Sequence, residues 1–98
     1  MKNLFVVVLT YVVDIDEIAT HRPAHLEFLD QHYKAGVFVV SGRQVPLQGG
    51  LIIARNKTRS ELEELFKDDP FYQHQLARYD IYEFTPNRFA EGLEATLV

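Results

Sequence analysis

The sequence predicts an α+β fold, a four-stranded antiparallel sheet with its helices on one face. Three observations predict it. Two kinds of segment alternate along the chain, one β-branched and aromatic, the other with apolar residues at three-and-four spacing. Their order is strand, helix, strand, strand, helix, strand. The chain has 98 residues and no repeat, low-complexity tract or linker, so a single domain spanning residues 1–98 is expected.

The first strand is read over residues 4–13, from Leu4-Phe5-Val6-Val7-Val8-Leu9 onward. Asp14, with Glu17 three residues later, has the pattern of a helix start. That helix is expected to run to about Lys34, with Gly36 at its C-terminal cap. Pro23 conflicts with a helix interior, because it lacks an N–H and clashes with the preceding turn. The expected resolution is a loop or short turn first, with the main helix beginning near Arg22-Pro23. Residues 37–41 read as the second strand, residues 42–50 as a loop, and residues 51–55 as the third strand. Thr58 and Glu61 form a candidate capping box for a helix over residues 60–67. Asp69-Pro70 opens a short helix over residues 71–77, residues 79–85 form the fourth strand, and residues 87–98 an irregular tail. This order is the split βαβ, or ferredoxin-like, arrangement.

Composition removes several function classes. The formal net charge is −4, which argues against a broad electrostatic grip on nucleic acid or anionic membrane. The absence of cysteine excludes a disulfide framework, a thiolate metal site and a cysteine nucleophile. The apolar stretch after Met1-Lys2-Asn3 is short, is followed by Tyr11 and Asp14, and has no small-residue cleavage site, so it reads as a buried strand. A soluble cytoplasmic protein is the expectation. Dinucleotide, phosphate-loop and nucleophile-elbow motifs are missing, and no cofactor is expected.

The first and third strands are apolar without clean alternation, although a sheet with one solvated face should alternate. Two helices cover one face only. The other needs a cover, and the simplest is a second copy packed sheet to sheet, a homodimer.

Among residues that could carry chemistry, His25 comes first. The inward side of the first helix is read through Ile18, Arg22, Leu26, Leu29 and Tyr33, which places His25 at the core edge. A partly desolvated imidazole there can serve as an acid or base, or can simply be satisfied by a backbone carbonyl. Arg22, three residues earlier, can bind an anionic group. Asp69 is a natural helix cap, and can instead orient a histidine. His21 and His25 have a metal-binding spacing, to which His32 and His74 could add ligands, but only two residues match the pattern and no metal is expected. Ser41, Gly42 and the Gly49-Gly50 pair sit at strand ends, where glycine permits close approach to a ligand or simply suits a hairpin.

Arg22-Pro23-Ala24-His25-Leu26 resembles the R-x-x-H-L of the YCII-related (YciI-like) family. Ser41-Gly42 resembles its small-residue–Gly pair after the second strand, and Asp69-Pro70-Phe71 its D-P-[FY]. Residues 77–84 resemble its closing strand, so the likeness covers roughly residues 3–86. It implies a dimeric α+β barrel with an active-site pocket in which His25 pairs with Asp69. Relatives in the wider barrel group include cofactor-independent enzymes acting on small cyclic compounds, lactone isomerases and dehydrochlorinases among them. The expected function is acid–base chemistry on a small cyclic or carbonyl compound, an isomerisation or a lyase-type elimination, with Arg22, Ser41 and Gly42 contacting substrate. The alternatives are a non-catalytic module that binds a small metabolite, and a purely structural role for both residues.

Overall fold

A computed structural model describes residues 2–97. The elements in chain order are β1 (Leu4–Tyr11), α1 (Ile15–Lys34), β2 (Phe38–Arg43), β3 (Gly49–Ala54), α2 (Arg59–Phe66), α3 (Pro70–Gln73), β4 (Ala77–Phe84) and α4 (Glu94–Leu97). The sheet order is β2-β3-β1-β4, and every adjacent pair is antiparallel. This is the ferredoxin-like arrangement.

Register separates the two faces of the sheet. Phe5, Val7 and Leu9 of β1 are buried, and their cross-strand partners Ala54, Ile52 and Gly50 point the same way. On β4 the matching inward positions are Ile81, opposite Val7, and Tyr79, opposite Leu9. Ile18, Phe28 and Leu29 of α1, Leu62 and Phe66 of α2, and Phe71 of α3 close the core from above.

Helix α1 departs from the expected start. It begins at Ile15, and Pro23 lies within it. The extra turns keep Ile18 fully buried. Burying an isoleucine side chain contributes roughly 1.5–3 kcal/mol, the same order as the ~3 kcal/mol an interior proline costs. The carbonyl that Pro23 leaves without a donor belongs to exposed Ala19, where water can satisfy it. Asp14 holds the N-cap position without a side-chain capping bond; its carbonyl accepts from the N–H of Glu17 instead. At the other end, Gly36 (φ +78°) supplies the left-handed residue of a Schellman motif. The N–H of Val37 reaches the His32 carbonyl and that of Gly36 reaches Tyr33.

The inward stripe of α1 is also rotated relative to the expectation. His25 and Phe28 are buried with Ile18 and Leu29, whereas Leu26 is half exposed and Tyr33 lies at the surface.

The expected loop over residues 42–50 is shorter, because Gly42 and Arg43 extend β2 while Gly49 and Gly50 begin β3. A Cβ on Gly49 would lie 1.7 Å from the Leu9 carbonyl oxygen. The close approach that needs this glycine is therefore to strand β1. The Thr58–Glu61 capping box forms as expected. The tail is less irregular than expected, since Glu94–Leu97 is helical and Arg55 donates to the Thr96 carbonyl. No described helix is long and apolar enough to cross a membrane.

Candidate active site

A cavity of about 150 Å³ opens between α1, the inner face of β1–β3 and the start of α3. Its apolar wall includes Leu9, Leu29, Ile52 and Phe71, and its polar side chains come from Tyr11, Arg22, His25, Ser41 and Arg43. Gly42 lines it as well. Four of the five residues singled out from the sequence thus meet at one cavity, and the fifth, Asp69, stands directly behind His25.

Each side chain is placed by local structure. His25 projects from the buried stripe of α1 and is almost fully enclosed. Asp69 is the N-cap of α3, fully buried, and Pro70 follows at the first helical position, where a missing N–H costs nothing. The cap bond is made: the Phe71 N–H donates to Asp69 Oδ1 at 3.0 Å. That same oxygen lies 2.8 Å from His25 Nδ1. Capping and histidine contact, weighed from sequence as alternatives, coexist on one carboxylate. Phe71 also stacks flat on the His25 ring, with centroids 3.9 Å apart and planes 4° from parallel.

Tyr79 is a participant the sequence reading missed. Its hydroxyl donates to Asp69 Oδ2. Burial pushes the phenol well above its ordinary range, and the adjacent carboxylate and the hydrogen bond push it further the same way. The phenol therefore remains a donor. Asp69 then faces two fixed donors, the Phe71 amide and the Tyr79 hydroxyl, and is satisfied as an acceptor throughout. That assigns the proton between Asp69 and the neutral ring to His25 Nδ1. Nε2 has no partner among the described residues. No buried side-chain nitrogen or oxygen there lacks one either, so Nε2 is the atom open to solvent. The signal for Tyr79 was its parity. It lies opposite Leu9 on the inward face, and a buried tyrosine hydroxyl needs a partner.

Ser41 is held from the side: its Oγ and the Tyr33 hydroxyl are 2.6 Å apart. Arg22 lies one turn before His25 and is half buried. His21 stacks beside His74 with ring centroids 4.1 Å apart, while His25 Nδ1 is taken by Asp69. The two histidines at metal-binding spacing therefore do not converge, and no group of three or more potential ligands exists among the described residues. The arrangement can accept a proton at Nε2, hold the resulting imidazolium against a buried carboxylate, and return the proton from the same atom.

Comparison with known proteins agrees with this geometry at the level of fold. No curated protein matches the chain. Among solved structures, the chain is similar to 5-chloro-2-hydroxyhydroquinone dehydrochlorinase from Burkholderia phenoliruptrix AC1100, in complex with 2,5-dihydroxybenzoquinone. The TM-score is 0.69 at 17% identity, covering 93% of this chain and 97% of that one. A family model described as the YCII-related domain matches residues 4–85. With most of the chain inside that match, the protein belongs to the YCII-related family.

Proposed function

We propose that the protein is a cofactor-independent enzyme that moves a proton on a small cyclic or carbonyl compound. The observation that carries this reading is the His25–Asp69 contact at Nδ1, made by a histidine that lines a cavity. His25 Nε2 takes a proton from the carbon beside a carbonyl, and Asp69 stabilises the imidazolium without itself becoming protonated. In an isomerisation the same atom returns that proton to another carbon. In an elimination the C–H bonding pair becomes a double bond, the leaving group departs with its own pair, and the proton passes to water. Acid–base assistance of this kind is typically worth ~10²–10⁴ in rate. The dehydrochlorinase of the same fold supports the second outcome. Arg22 and the Ser41–Gly42 segment are the proposed substrate contacts.

The working form is proposed to be a homodimer. The outer face of the sheet carries Val6, Val8, Val40, Leu51, Ile53 and Tyr82 at neighbouring register positions, and Val40, Leu51 and Tyr82 are exposed.

Deuterium incorporation in heavy water tests the chemistry without requiring the true substrate. A panel of small cyclic ketones and lactones is incubated with the protein and read by mass. The expected result is exchange beside a carbonyl that falls about 10²–10⁴-fold in both His25→Gln and Asp69→Asn. Exchange that is unchanged in His25→Gln, or absent across the panel while the compounds bind, overturns the enzyme reading. The latter result leaves a small-metabolite-binding module.

A further inference from the structure

We propose that Arg22 and Arg43 form an anion-binding pair in the His25 cavity, and that the substrate is a single-ring compound carrying an anionic oxygen group. This deepens the acid–base reading of the same cavity and rests on it.

The first observation is where the arginines of the chain are engaged. Arg55 donates to the Gly36 and Thr96 carbonyls. Arg59 donates to the Ile81 carbonyl and lies 4.0 Å from Glu63, and Arg78 bonds Asp80 at 3.1 Å. Arg88 lies on the exposed tail. Arg22 and Arg43 differ from the first three. Neither makes a side-chain hydrogen bond or ion pair among the described residues, and both line the cavity.

The second observation is the absence of a counter-charge. No aspartate or glutamate lines the cavity. The nearby carboxylate, Asp69, is fully buried behind His25 and already accepts from the Phe71 amide and the Tyr79 hydroxyl. A chain of net charge −4 therefore presents a cavity lined by two guanidinium groups and no carboxylate. Low-dielectric walls concentrate such a field on a bound ligand.

The third observation is size and shape. About 150 Å³ is the volume of a cavity that accommodates benzene. Phe71, already stacked on His25, and the side chains of Leu9, Leu29 and Ile52 suit the ring itself. Arg22 comes from α1 and Arg43 from the end of β2, at an inward register opposite Gly50, so the two approach from different walls. An anionic oxygen on the ring would sit between them, with the ring edge toward His25. A carboxylate and an ionised ring hydroxyl share this chemistry.

Calorimetric titration with benzoate, 4-nitrophenolate in its ionised form, and benzamide as the uncharged isostere tests the pair. At least one anion is expected to bind about tenfold or more tightly than benzamide, and to weaken with added salt. Benzoate alone binding assigns a carboxylate; nitrophenolate alone assigns an ionised hydroxyl. Arg22→Gln and Arg43→Gln should each weaken the anion about tenfold and leave benzamide unchanged. Arg43 is exposed, so that variant is expected to keep its fold. Equal binding of anion and benzamide, no anion binding, or an effect confined to Arg22→Gln overturns the pair. Asp69→Asn should retain anion binding whatever becomes of proton exchange, which separates failure of this proposal from failure of the enzyme reading.

Discussion

Three donors surround one buried carboxylate. Asp69 receives the Phe71 amide, the Tyr79 hydroxyl and His25 Nδ1, and each contact fixes a different part of the site. The amide anchors α3, the phenol holds the second oxygen, and the imidazole is turned to present Nε2. Tyr79→Phe removes one donor and leaves the buried Oδ2 without it. An unpaired buried acceptor costs about 1–3 kcal/mol, so thermal unfolding should begin several degrees lower. Proton exchange should also slow, because the carboxylate is less firmly placed. An unchanged melting temperature would show that the hydroxyl contributes nothing to holding Asp69. His25 and Asp69 were legible in the sequence as types, one from its place on a helical stripe and the other from Asp-Pro at a helix start. Their meeting was not, because 44 positions separate them and no local spacing rule spans a fold. Tyr79 was less legible still: parity alone says it points inward, not what its hydroxyl finds there.

At the scale of elements, the order and topology were readable because periodicity survives tertiary context. The capping box at Thr58 and the cap at Asp69 are local patterns, and both form. The errors fall where a local rule met an offsetting gain. Pro23 argues for a later helix start, but the turns before it bury Ile18, and that burial offsets the proline. Glycine at residues 42, 49 and 50 argues for a loop, but the ladder pairs Gly42 with Leu51 and Gly50 with Leu9. Strand pairing overrides glycine's weak strand preference when both neighbours are already in place.

At the scale of the molecule, the open face of the sheet is the unresolved demand. Tyr82 and Val40 are 61% and 55% exposed, and Leu51 beside them is partly so. Packing a second sheet there, at roughly 800 Å² per partner, gives a standard interface. Light scattering after size exclusion should therefore report a dimer at micromolar concentration, and Val40→Glu should shift it toward monomer. A monomer for the parent protein would contradict the sheet-to-sheet interface. The dimer is argued from apolar residues at both parities of the first and third strands, which one layer of helices cannot cover.

The central claim is that Asp69 holds the proton of the neutral His25 ring on Nδ1 and leaves Nε2 as the base at the cavity. Long-range proton–nitrogen correlation in nitrogen-labelled protein reads this directly. The predicted result is a protonated Nδ1 and an unprotonated Nε2 in the neutral ring, with that preference weakened in Asp69→Asn. A neutral ring carrying its proton on Nε2, or the same spectrum in the variant, would contradict the account.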